Sequence, residues 1–304
     1  MDRDLASLLA AGERAAFHGP PAAAVADLEQ AVVTAQREGR RAEVTAAAWL
    51  LGVALSASGR YGSALRVLVP LLDAGEHTES APETRLFAAL AAATAASIHR
   101  GLGRHHSARE LDGRGLVLAE GSEEATFDCL VGLATDAVGL DDPEEARTQL
   151  AGAEDMVDRH DDEWWRQRVR FDWARAEVAL LTEAPTDAAT AASASVERAE
   201  RARAPRHVAK GLLFQGVAEL QSGSPEAPAT LRRAATLAEG LGAMPVTWQA
   251  RALLGALLAG TAPEESARSL SAARSAVLTM AADLPVDLRE EWLARPNVSA
   301  LLEG

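Results

Sequence analysis

The 304 residues predict an all-α protein of about seven antiparallel helical hairpins closed by a C-terminal capping helix. Three observations predict it. Hydrophobic residues make up 48% of the chain but aromatics only 4%, so Ala, Leu and Val supply the apolar surface, and Ala and Leu are strong helix formers. Breakers fall between amphipathic stretches, at Gly19-Pro20-Pro21, Ala81-Pro82, Asp142-Pro143, Ala184-Pro185, Ala204-Pro205 and Ala262-Pro263, and none of these runs is long enough to separate domains. A spacing also recurs, seven residues from a small residue to a turn and five from the turn to a small residue beyond it.

The first hairpin shows the spacing as Gly12, Gly19 and Ala24, and the second as Gly52, Gly59 and Ala64. The third reads Ala96, Gly103 and Ala108. In the fourth, Gly132 and Gly139 are followed by Ala146 two residues late, after the turn Asp141-Asp142-Pro143. The fifth and seventh lack the turn glycine and run from Ala184 to Ala189 and from Ala262 to Ala267. The sixth begins with Gly216 and Gly223, but Pro228 falls on the expected Ala position, which predicts a late-starting second helix. From Leu284 through Trp292 to Leu301-Leu302 the chain reads as a capping helix and a short tail.

The second hairpin is the most complete, with Leu51-Gly52, Leu55, Gly59, Tyr61, Ala64, Leu68 and Leu71. Small residues at Gly52 and Ala64 let two helices cross closely, Gly59 gives the backbone freedom of a tight helix end, and Tyr61 plugs the hairpin. This arrangement resembles the tetratricopeptide repeat. The resemblance implies a right-handed superhelical solenoid forming one domain over 1–304, with hairpins over about 2–280 and the cap and tail over about 281–304. Successive second-helix positions lie 38 to 44 residues apart, above the roughly 34 of the family. Helices of about 16 to 18 residues follow, close to 25 Å long at 1.5 Å per residue. Such long-helix variants resemble the helical-repeat sensor regions of actinobacterial regulators.

A net charge of -14 opposes nucleic-acid binding, which draws its affinity from Lys and Arg against phosphate. The single cysteine, Cys129, cannot form an internal disulfide and sits in an apolar run as a small buried hydrophobe. The acidic start Met1-Asp2-Arg3-Asp4 is unlike a signal peptide and no run is apolar enough to span a bilayer, so no membrane role and a cytoplasmic location are expected.

No catalytic site, metal or cofactor is expected. Asp141-Asp142-Pro143-Glu144-Glu145 has the Asp-Asp-x-x-Glu form of a magnesium-diphosphate site, but it also reads as an N-cap, a first-turn proline and two acids at the positive end of a helix dipole. His99, His105 and His106 fall near a hairpin turn, and His160-Asp161-Asp162-Glu163 reads as a solvated loop before Trp164.

In a solenoid of hairpins the first helices line the inner face. The family register places Trp49, Val53, Arg100, Arg175, Val178, Lys210, Phe214, Val217 and Gln221 there, an apolar groove with scattered cations suited to a protein or peptide segment of some acidic character. Trp49 and Phe214 are also suited to packing between repeats. The concentration Trp164, Trp165, Arg166, Arg168, Arg170 and Trp173 has the composition of an interface, or forms a core stripe through Trp165, Val169 and Trp173. The expected function is a non-catalytic interaction scaffold, the alternative a receptor enclosing a small molecule or short peptide.

Overall fold

A computed structural model describes residues 4–77, 80–160 and 162–304; the acidic start through Arg3 and Asp161 of the expected loop lie outside the described residues. Sixteen α-helices and no strand are present among the described residues. In chain order they are α1 (Leu5–His18), α2 (Ala22–Arg37), α3 (Arg41–Ala57), α4 (Tyr61–Gly75), α5 (Pro82–Gly101), α6 (His105–Leu118), α7 (Glu123–Gly139), α8 (Pro143–Arg159), α9 (Trp165–Leu181), α10 (Pro185–Arg201), α11 (Pro205–Gln221), α12 (Ala227–Leu241), α13 (Met244–Leu258), α14 (Pro263–Asp283), α15 (Val286–Leu293) and α16 (Pro296–Glu303). A single 3-10 turn, Asp162–Trp164, precedes α9. The chain forms two compact units, Met1–Gln167 and Arg168–Gly304.

Unit 1 contains the hairpins α1/α2, α3/α4, α5/α6 and α7/α8, with consecutive helices packed together. First helices also touch first helices, α1 on α3, α3 on α5 and α5 on α7, as stacked hairpins require. Unit 2 repeats the arrangement with α10 on α11, α11 on α12, α12 on α13, α13 on α14, and first helix α11 on first helix α13. The predicted cap is two short helices rather than one helix and a tail, because Pro296 starts a new helix after the break at Ala294-Arg295. Trp292 of α15 is 1% exposed and meets Trp248 edge-on at 6.3 Å.

A leucine knob set over a glycine forms the core of most hairpins. A Cβ on Gly12 would collide with Leu28, one on Gly52 with Leu68, one on Gly216 with Leu231 and one on Gly255 with Leu270. Each glycine removes a side chain where two helices cross, and the leucine fills the space.

The turns follow a stricter rule than the sequence suggested. Gly59, Gly103 and Gly223 sit at φ +81°, +74° and +70°, and the next residue's N–H bonds back to a carbonyl five residues earlier, as in Arg60 to Leu55 at 2.9 Å. In the fourth and fifth hairpins this left-handed position is held by Asp141 (φ 60°) and Glu183 (φ 55°), with Asp142 donating to Ala137 at 2.9 Å and Ala184 to Ala179 at 2.8 Å. Counted from Asp141, Ala146 is five residues on and not late. Counted from Glu183, the packed small residue is Ala188, fully buried, and not Ala189. In the seventh hairpin it is Ser266, 5% exposed and donating to the Gly255 carbonyl at 2.7 Å, whereas Ala267 is exposed. Helix α12 starts at Ala227 with Pro228 in its first turn, where a missing N–H costs nothing.

Candidate interaction surface

The sequence-derived surface residues divide by unit. In unit 1, Trp49 is 9% exposed, lies between Phe17 (6.4 Å) and Phe87 (5.8 Å), and donates its indole N–H to Thr94 Oγ1 at 3.3 Å. Val53 is half-buried. Arg100 donates to Asp112 at 2.5 Å, to Asp136 at 2.9 Å and to the Gly132 carbonyl at 3.3 Å, and both aspartates are fully buried.

This triad was not legible as a site. Asp112 stands sixteen residues after Ala96, the separation between Gly12 and Leu28 and between Gly52 and Leu68, so an aspartate takes the knob position. A Cβ on Gly132 would collide with Asp112, so α7 is shaped around the carboxylate. Burial pushes the Asp136 carboxyl above its ordinary range, opposed by the charge of Arg100. Burial alone would lower the Arg100 value, but the two carboxylates outweigh it and hold the guanidinium protonated.

Unit 1 also closes on itself. The first turn of α9 reaches back to the last turn of α1, with Trp165 5.3 Å from the His18 ring and Arg166 5.9 Å over Phe17. Arg166 bonds Glu124 at 2.7 Å and Asp128 at 3.1 Å, both on α7, and Gln167 bonds Glu124 at 3.0 Å. Trp164 stacks on His160 at 3.8 Å and meets Phe127 edge-on. The Trp-Arg concentration is therefore spent on intramolecular packing at its N-terminal end.

The acidic run at 141–145 caps α8, with the Asp142 side chain accepting from the Glu145 N–H at 3.0 Å. Cys129 is fully buried. Tyr61 is 5% exposed and packs against Gly101 of the next first helix. Among the described residues no three His, Cys, Asp or Glu side chains converge as a metal ion requires, and no helix is long and apolar enough to cross a membrane.

In unit 2 the corresponding side chains are more open. Arg175 is exposed, its guanidinium 6.0 Å over Phe171. Lys210 is half-buried with its ammonium 4.5 Å over the Trp173 ring and 5.6 Å over Phe214, distances at which a cation is attracted to the ring face. Phe214 and Val217 are half-buried, Val178 is 7% exposed, and the exposed Gln221 donates to the Leu180 carbonyl at 3.1 Å. The pairs Trp173 with Lys210 and Leu180 with Gln221 place α9 and α11 side by side and parallel. Behind them, Val169 is fully buried, Trp173 is 7% exposed and stacked on His207, and Asp172 bonds Arg198 at 2.9 Å. Burial pushes the Asp172 carboxyl up, with Arg198 opposing.

Set beside known proteins, the chain matches no family model, and no curated protein matches it in sequence.

Proposed function

We propose that this chain is a non-catalytic interaction module of the tetratricopeptide type, working in the cytoplasm, that holds a segment of a partner protein across the first helices of unit 2. The observation that carries this reading is the surface formed by α9 and α11. Half-buried Phe214 and Val217 offer apolar contact, while Lys210 and Arg175 are held over aromatic rings at its border. Apolar anchors with a charged rim are the composition of a segment-binding face. Val178 packs beneath that face, and Trp49 and Arg100 of unit 1 are not part of it, since each is engaged inside its own unit.

A photo-crosslinking amino acid in place of Phe214 tests the proposal, with the same group at Val117, 74% exposed on α6, as the control. One partner captured from position 214 and not from 117, and joined through a defined segment, is the expected result. Equal capture at both positions would sink it.

The second reading, a receptor for a small ligand, is favoured by one observation. The Trp173 indole N–H is buried without a hydrogen-bond acceptor among the described residues, a state that costs about 1–3 kcal/mol and that a ligand carbonyl would relieve. A small-molecule fraction that raises the melting temperature of the wild type but not of Trp173→Phe would replace the first reading with this one.

A further inference from the structure

We infer that unit 1 carries a binding site for a small carboxylate with a short apolar chain, in the cavity formed by the end of α2, the start of α3 and the first turn of α5. The inference does not rest on the docking face proposed for unit 2. The cavity measures about 380 Å³, at the small end of the range of about 300–1,000 Å³ that ligand pockets occupy. Ala35 of α2 and Val44 of α3 give it an apolar wall and belong to one core cluster, Ala35 fully buried and Val44 half-buried against it. Gly39, at φ +70°, adds no side chain to the lining, and a Cβ there would meet nothing within 4 Å.

The polar side chains of the lining share one character. Arg41, Gln36 and Thr84 all carry hydrogen-bond donors, and no carboxylate of the described residues lines the space. Arg41 is exposed, and its guanidinium makes no hydrogen bond, ion pair or ring contact among the described residues. The acids nearest to it in sequence, Glu38 and Glu43, are held by Arg40 at 3.5 and 2.6 Å. The Gln36 and Thr84 side chains likewise make no hydrogen bond among the described residues, whereas the Thr45 hydroxyl is committed to the Ala42 carbonyl at 2.8 Å. The carbonyls at the end of α2 are taken by the turn, Ala35 by the Arg40 N–H at 2.9 Å and Gln36 by the Gly39 N–H at 3.2 Å. Donors therefore outnumber open acceptors, and one positive charge stands among them. A guanidinium offers paired N–H groups that match the two oxygens of a carboxylate. One cation beside an apolar wall suits a monoanion with an apolar chain better than a phosphate, whose second charge would meet no second cation here.

Titration of the full chain with sodium hexanoate, followed through the Val44 and Thr45 methyl signals in NMR spectra, tests the site. Hexanol, hexylammonium and inorganic phosphate are titrated in parallel, to separate the apolar chain, the sign of the charge and the kind of anion. Hexanoate is expected to shift both signals saturably, with a Kd on the order of 1 mM, and to bind more weakly as salt is added. Arg41→Gln should lose about tenfold in affinity at an unchanged melting temperature, and Arg41→Lys should recover part of the loss. Hexanol and hexylammonium should each bind about tenfold more weakly than hexanoate or less. Hexanoate shifts that do not saturate overturn the inference, as does hexanoate binding that Arg41→Gln leaves unchanged. Equal binding of hexanol or hexylammonium overturns the carboxylate, and tighter binding of phosphate overturns the apolar chain.

Discussion

Arg100 and Asp136 stand at the same register on consecutive first helices, four residues past Ala96 and Gly132 respectively, and their side chains pair at 2.9 Å. A residue that the repeat aims along the first-helix face is thereby consumed by its neighbour in the next hairpin. Asp112 completes the cluster from the second helix behind, giving two fully buried carboxylates one guanidinium.

Removing that guanidinium takes from both buried carboxylates the cation they bond. Arg100→Ala is expected to lose about 3–5 kcal/mol of stability in urea unfolding. A variant within about 1 kcal/mol of wild type would mean that water reaches the aspartates.

The same cluster predicts a pH dependence of definite sign. The raised Asp136 value means that the folded chain holds this proton more tightly than the unfolded one. Its contribution to stability is full below the ordinary carboxylate value of about 3.9 and is lost as pH rises through the raised folded value. Asp136→Asn removes the titration while leaving Arg100 paired with Asp112. Its stability profile should therefore be flatter than wild type from about pH 4 upward, measured by denaturant midpoint at each pH.

Asp112 tests the repeat rule itself. Leu28 and Leu68 show what the knob position normally holds, and Gly132 already leaves room beneath it. Asp112→Leu keeps the Arg100–Asp136 pair and exchanges a buried charge for apolar packing. The variant should be as stable as wild type or more stable by up to about 4 kcal/mol.

The repeat was legible because sterics at helix crossings and turns restrict residue choice. Gly12, Gly52, Gly216 and Gly255 sit under side chains that permit nothing larger, so the sequence marks the crossings directly. The turns were harder, because left-handed backbone is open to polar residues as well as glycine, and Asp141 and Glu183 carry no sign of it. In the fifth hairpin that hid the one-residue shift to Ala188. The surface was least legible, since register gives the direction of a side chain but not whether a neighbour consumes it. Register aims both Arg100 and Arg175 at the inner face, and the presence of Asp112 and Asp136 around the first is what buries it.

Two glycines should respond oppositely to substitution. Gly52→Val places a branched side chain into Leu68 and should destabilise by about 1–3 kcal/mol. Gly113, inside α6, has no positive φ, and a side-chain methyl there would meet nothing within 4 Å, so Gly113→Ala should stabilise by about 0.5–1 kcal/mol through helix propensity. Thermal unfolding of both checks the difference.

Arg166 joins α7 to the last turn of α1, and its contribution can be divided between charge and packing. Its side chain is 11% exposed and that of Asp128 3%, so Arg166→Ala takes the guanidinium from a buried carboxylate and should destabilise by about 3–5 kcal/mol. Asp128→Asn removes the charge of that carboxylate, so the double variant should fall short of the sum of the two single losses by about 0.5–3 kcal/mol. Arg166→Met separates the alternatives, since methionine retains the stem over Phe17 without the charge. If Arg166→Met is as stable as wild type and the cycle shows no coupling, Arg166 contributes to the closure of unit 1 through its stem on Phe17 and not through its charge. If Arg166→Met behaves like Arg166→Ala, the carboxylates of α7 hold the guanidinium in place, and the closure of unit 1 is an electrostatic one that should loosen with ionic strength only as far as solvent reaches the half-exposed Glu124.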